Sequence, residues 1–412
     1  MVTRARWAIT RPAHPPSTDP ERAATAARFF WRSRGDGSEA RARYHGGLSS
    51  RSLPLSHAAV GNAIARDFAI AITLLTAYAC LHPFSGWRST GVGMFDFLWA
   101  PWPRYYTRTD LIINVLGFMP IGFAWVAALA PRSRPGRLVL SVTVAGLLFS
   151  LAVETTQNFL PTRVASNLDV AANTLGAFFG AWCGLPGARF FARGGPLERW
   201  RLRRIIPGRS GSLGVLLIAL WWFSLLNPSS YLFASGDLHT LVDAATDLSL
   251  TGKGFLRVEA LLAAANTLIV GLFAQRVMRV PSFWLALLTI ALGLAVKALA
   301  TWAFLSPPQP WHWATPGGLR GLAIGLLLLA AFWRAAPRLR HAVLCVSLLT
   351  STALVNLAPD NPYWDASTRL VNEGHVLNFH GATTLMASLW PFLGLLWLVV
   401  MGPGRRERGV VA

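Results

Sequence analysis

Apolar residues along this 412-residue chain fall in long runs that polar residues interrupt sparsely. Ten such runs are bounded by charge, Pro or Gly and are about 17–25 residues long, enough to cross a bilayer as helices. They cover residues 67–84, 111–130, 138–160, 168–186, 213–232, 256–275, 282–305, 317–334, 341–358 and 383–402. The predicted fold class is all-α, a polytopic transmembrane bundle of about ten spans. A re-entrant segment among the ten would change that count. The run at 67–84 begins too deep in the chain to read as an ordinary signal peptide.

The arginines orient the runs. Eleven precede residue 67, and further groups fill alternate connections: 131–137, 189–209, Arg276 with Arg279, Arg334 with Arg338 and Arg340, and Arg405, Arg406 and Arg408. The intervening connections are poor in basic residues. This pattern predicts both termini on the cytoplasmic side. The predicted division is a basic tail over 1–66, a four-helix unit over 67–190, an Arg-rich connection over 191–212, a six-helix region over 213–402 and a short tail over 403–412. No internal repeat relates the two helical regions, which counts against an inverted-repeat transporter.

Composition then removes other classes. The chain is 53% hydrophobic and 14% charged, so the net charge of +20 sits on an unusually greasy background. No DNA-binding motif or interleaved aromatics accompany the arginines, so nucleic acid is not an expected partner. Membrane lipids are. The three cysteines (Cys80, Cys183, Cys345) lie inside apolar runs with no metal-ligand spacing. No cofactor and no metal site are expected. His375 and His380, with Asp360, Asp365 and Glu373, read as an external connection rather than a metal site, since no H-E-x-x-H occurs. Trp99, Trp102, Trp311 and Trp313 fit an interfacial aromatic belt.

Polar residues inside the runs are functional-site candidates because inserting them costs free energy, about 2.5–3.5 kcal/mol for a charge at mid-helix. In the first four runs they share one depth, the outer third. Asp110 and Asn114 open the second run; Glu154 and Gln157 close the third; Arg163 follows; Asp169 and Asn173 open the fourth. Two readings stay open. One is a packing network in which Arg163 pairs with Glu154 or Asp169. The other is a polar pocket open to the outer leaflet. Gly176, Gly180 and Gly184, spaced by four, predict close helix packing, with Gly117, Pro120 and Gly122 as a similar flat or kinked surface on the second run. Farther on, Lys297 lies roughly 12 Å from the outer end of its run. It could pair with Glu259 or add a positive charge to the same pocket.

The motif Asn114-x5-Pro120-x-Gly122, then Glu154-x2-Gln157 with Pro161 and Arg163, then Asp169-x3-Asn173-x2-Gly176-x3-Gly180, resembles the VanZ-like family of bacterial membrane proteins. The resemblance covers roughly residues 70–190, and a weaker one touches 378–392. It implies a multi-pass protein of the bacterial inner membrane, acting at the cell envelope, in a family linked to low-level resistance to the glycopeptide teicoplanin. A lipid-linked envelope precursor or an acylated glycopeptide is then the expected ligand at the outer-leaflet site. A membrane-embedded hydrolase or transferase, with Glu154 as general base, is one alternative. A transporter is another. No catalytic motif is present, and oligomeric state is not encoded in any pattern found.

Overall fold

The computed structural model describes residues 63–403 except 90, 92, 103–107, 131–133, 192–193, 240–251, 307, 360–368 and 371–374. The predicted basic tail therefore lies, apart from its last four residues, outside the described residues. So do Asp360, Asp365 and Glu373.

The described chain is all-α. Its first helices are α1 (Ala63–Leu81), a short α2 (Asp96–Trp99), α3 (Arg108–Leu129), α4 (Pro135–Gln157) and α5 (Asn167–Phe191). A short α6 (Pro196–Arg204) leads into α7 (Gly208–Ser224), α8 (Gly252–Val277) and α9 (Phe283–Phe304). The last are α10 (Pro316–Phe332), α11 (Pro337–Leu357) and α12 (His375–Met401). A two-residue antiparallel pairing of β1 (Leu305–Ser306) with β2 (Arg369–Leu370) is the extent of strand structure in named elements among the described residues. Each of the ten apolar runs contains one of the long helices. The last begins earlier than the sequence suggests, since the backbone is already helical from His375.

Seven of these helices, α1, α3, α4, α8, α9, α11 and α12, are long and apolar enough to cross a membrane. The chain is a polytopic helical membrane protein. The other three runs form α5, α7 and α10. Asp169 and Asn173 lower the apolar character of α5, and α7 and α10 are each 17 residues long. One run is shorter in helix than predicted: residues 213–232 were expected as a single span, but α7 ends at Ser224. Asn227-Pro228 follows, and proline cannot supply the amide that would continue the ladder. Residues 225–235 continue as irregular backbone, with Leu232, Phe233, Ala234 and Ser235 all buried.

Two helix groups are evident. The first is α1, α3, α4 and α5; the second surrounds α8, whose apolar window is two-thirds buried (67%). α1 touches α7 and α12 and so connects the groups. Trp221, 1% exposed, packs in the core of the second group against Phe233.

The tightest seam joins α3 and α5, which run parallel. A Cβ on Gly176 would strike the carbonyl oxygen of Val115, one on Gly180 that of Met119, and one on Gly184 would lie 3.0 Å from that of Phe123. On the facing helix, a Cβ on Gly122 would strike the carbonyl of Ala177. Gly176, Gly180 and Gly184 all sit on this seam. Of the two glycines expected to offer a surface on α3, Gly122 meets α5, whereas Gly117 is exposed and nothing lies within 4 Å of where its Cβ would be. A second seam, not anticipated, joins α8 and α10, where Gly321 and Gly325 meet Ala260, Ala263, Ala264 and Thr267.

Gly180→Val should therefore lower stability by about 1–3 kcal/mol or prevent folding, because backbone on both sides leaves no room to yield. Gly117→Ala should be neutral or stabilising by up to about 1 kcal/mol, from helix propensity. Thermal unfolding of the purified variants in detergent measures both; equal midpoints for the two would refute the seam.

Candidate functional site

The local fold around the predicted polar residues begins with the turn between α4 and α5. α4 ends at Gln157, and Phe159, Leu160 and Arg163 close successive short turns through their amides. Leu160 is buried and anchors the corner. Ser166 then caps α5, its Oγ accepting from the amides of Leu168 (3.2 Å) and Asp169 (3.4 Å), as N-cap serines do. The amide of Ser166 itself donates to Glu154 Oε2 at 3.1 Å. A carboxylate is thereby placed at the N-terminal end of α5, where the helix dipole favours it.

α4 and α5 face each other antiparallel along a stripe with a four-residue period. Gly146 lies against Ala177, and Asn173 Nδ2 donates to Ser150 Oγ at 3.0 Å. The next step of that stripe sets Glu154 opposite Asp169, and the two carboxylates interact electrostatically. From α3, Asn114 Nδ2 donates to Asp169 Oδ1 at 2.8 Å. Asp110 is half-buried one turn earlier on α3. The end of α1 and the residue after it supply carbonyls: Gln157 Nε2 donates to that of Cys80 at 2.8 Å, and Arg163 Nη2 to that of His82 at 2.7 Å.

The sequence-predicted residues of the first four runs thus meet at one end of α1, α3, α4 and α5. Glu154, Gln157 and Asn173 form a buried floor, while Asp110, Asn114, Arg163 and Asp169 form a half-buried rim. The pairing of Arg163 differs from the ion pair expected of it. Among the described residues its guanidinium meets neither Glu154 nor Asp169 within ion-pair distance; it is tied to a carbonyl instead. Burial pushes its pKa down from the ordinary value, opposed by nearby Cys80 and Glu154. A guanidinium stays charged regardless. Three buried polar atoms at this site have no hydrogen-bond partner among the described residues: Asn173 Oδ1, Arg163 Nε and His82 Nδ1.

Several contributors were not predicted. Ser150 continues the face of Glu154 and Gln157 at helical spacing, and the run from Ser166 to Asp169 has the form of a capping sequence. Both were readable. Cys80 and His82 contribute carbonyl oxygens, which leave no mark in a sequence. On the opposite face of the α4–α5 seam a groove of about 530 Å³ runs from Asn167 past Ala171 and Thr174 to Phe178, with Thr143 and Leu147 as its other wall. No group of three or more His, Cys, Asp or Glu among the described residues is placed to hold a metal.

These helices are also where a family match lies. Residues 59–186 match the VanZ/LLP1 family model. That match spans α1 to α5 and so contains the whole polar cluster, while α6 to α12 lie beyond it. No match was found among curated proteins. None was found among solved structures.

Lys297 lies elsewhere. Its ammonium is enclosed by the irregular segment after α7, donating to the carbonyls of Asn227 (2.7 Å) and Ser230 (2.8 Å) and to Ser230 Oγ (2.9 Å), with the Pro228 carbonyl at 3.3 Å. Glu259, its expected partner, instead accepts from Thr315 Oγ1, and Gly317 at the start of α10 packs against its carboxylate. The structure therefore does not bring Lys297 to the polar cluster at the ends of α4 and α5.

Lys297→Met should leave several buried carbonyls without a donor, at about 1–3 kcal/mol for each one stranded. The expected result is reduced folded yield and a lower unfolding temperature. Wild-type stability would show that water replaces the ammonium without loss.

Proposed function

We propose that this chain is a VanZ-like bacterial protein of the cell envelope, resident in the cell membrane with ten crossings and both termini cytoplasmic. Its outer-leaflet site binds an acylated amphiphile, either a lipid-linked envelope precursor or a lipoglycopeptide. The convergence of charged and amide side chains at one end of α1, α3, α4 and α5 is the observation that carries this reading. Amide glue alone would satisfy its own members, yet three buried polar atoms of this cluster lack partners among the described residues, and buried polar groups are ordinarily paired. A ligand bearing phosphate or sugar hydroxyls supplies both donors and acceptors. Arg163 would meet its anionic group, and Asp169 and Asn114 would fix hydroxyls. The ten-crossing reading rests on α5, α7 and α10 spanning together with the seven longer helices, in keeping with the alternation of arginine-rich connections.

A second reading is favoured by one observation, the opposition of Glu154 and Asp169. Two facing carboxylates with separated proton affinities can divide acid and base roles. In that case Glu154, held by the Ser166 amide, is the general base of a hydrolase or transferase on the same lipid-linked substrate.

Glu154→Gln, Arg163→Ala and Asp169→Asn, expressed at wild-type levels, should each raise lipoglycopeptide susceptibility and shift the pool of lipid-linked envelope intermediates. Loss in Arg163→Ala and Asp169→Asn with Glu154→Gln near wild type supports binding. Loss in Glu154→Gln with ligand still bound supports catalysis. Wild-type behaviour in all three removes the cluster as the functional centre.

A further inference from the structure

The short helix α6 lies beyond the family match and is too short to cross a bilayer, yet backbone bonds seat it firmly. The Ile206 amide donates to the Val277 carbonyl at 3.0 Å, and the Arg279 amide to the Arg204 carbonyl at 2.7 Å. Arg279 Nη1 also donates to the Leu202 carbonyl at 3.2 Å. Val277 is the last residue of α8, a helix long and apolar enough to cross a membrane. The end of α6 is therefore held at the level where that helix ends.

Arg201 is the inward residue of α6. It is 6% exposed, and its Nη2 donates to Ser212 Oγ at 2.9 Å and to the Gly208 carbonyl at 3.2 Å, at the start of α7. Successive helical residues are about 100° apart, so Trp200 and Leu202 project from the two flanks of this seat. Arg199 and Arg203 lie on the crest opposite it. Trp200 and Leu202 are 46% and 48% exposed, and Arg199, Arg203 and Arg204 are exposed as well. None of these three arginines makes an ion pair among the described residues. Glu198, the single acid of the helix, accepts from the Gly194 amide.

Apolar flanks beneath a crest of arginines fit one medium, the boundary between lipid headgroups and acyl chains. Indole rings settle there, and guanidiniums meet phosphate. The bilayer interior would strip the arginines of water. We propose that α6 lies flat in the interface of the leaflet at the arginine-rich end, with Trp200 and Leu202 below the headgroups and Arg199, Arg203 and Arg204 on the phosphates of anionic lipids. The cytoplasmic identity of that leaflet rests on the orientation proposed above; the docking does not.

The test uses the full-length chain with Cys183, its one exposed cysteine, replaced by Ala, and a bimane fluorophore on Leu202→Cys. The protein is placed in phosphatidylcholine nanodiscs that carry shallow doxyl-labelled phosphatidylglycerol or doxyl-labelled phosphatidylcholine as quencher. Both should quench, and phosphatidylglycerol should do so at a several-fold lower mole fraction, because each arginine near the surface contributes about fivefold in attraction. Arg199→Gln with Arg203→Gln should erase most of that preference, and the corresponding Lys pair should restore it. If the Gln pair is unstable, Arg203→Gln alone should still reduce the preference about twofold or more. Absence of quenching by either lipid would overturn the proposal. Equal quenching by both, or a preference unaltered in a stably folded Gln variant, would overturn the assignment to anionic lipid. Orientation is read separately with an impermeant maleimide on Arg209→Cys in intact cells. Labelling there would overturn the cytoplasmic orientation, whereas the quenching result stands independently of it.

Discussion

Helices surrounded by lipid gain little from burying apolar side chains against each other, because the lipid is equally apolar; close backbone packing has to supply the attraction. Two glycine seams answer that constraint. α3 meets α5 through Gly122, Gly176 and Gly180, and α8 meets α10 through Gly321 and Gly325. Each seam joins parallel helices with an antiparallel helix, α4 or α9, between them in sequence. The first seam fixes the position of α5 beside α3, which is what allows Asn114 to reach Asp169. The second brings Gly317 against Glu259 and sets the Thr315 hydroxyl where it donates to that carboxylate. The polar geometry of both helix groups follows from backbone contact.

A second demand follows from the first. Backbone groups at membrane depth must find partners within the protein. The irregular segment after α7 would otherwise expose carbonyls in a buried setting. Lys297 gathers three of them, and Asn356 holds Gly236 and Leu238 through its amide. The Gly236 amide reaches the Ala387 carbonyl on α12 at 2.7 Å. An ionisable group deep in a span is thus used here to close off a break in a helix. Ionisable side chains gather in a polar cluster in one half of the chain and stitch an irregular backbone in the other.

The helices were legible because each is a sustained apolar run, and the polar cluster because its members recur at helical spacing at one depth. What escaped was pairing. Gly117 lies on a face of α3 that the seam does not use, and sequence period alone does not separate it from Gly122. The partner of Lys297 is backbone, which has no sequence signature, although Asn227-Pro228 was a readable breaker inside the run at 213–232. Arg163 was expected to seek a carboxylate. The turn around Leu160 instead directs it to the His82 carbonyl, an outcome set by loop geometry.

The arginines show the same limit in a sharper form. Counted along the chain, Arg276, Arg279, Arg338 and Arg340 are two entries in a tally of sides, and any position in those connections would serve that purpose equally well. Folding brings the end of α8 beside the start of α11 because Asn266 in α8 donates to Ser351 in α11 and the two helices pack along their length. The two connections then share one space walled by Leu272 and Leu344. A topological signal does not require convergence, and charge repulsion works against it. The carbonyls of Gly402 and Trp333 accept from Arg276 and Arg340 and so help to hold the two connections together.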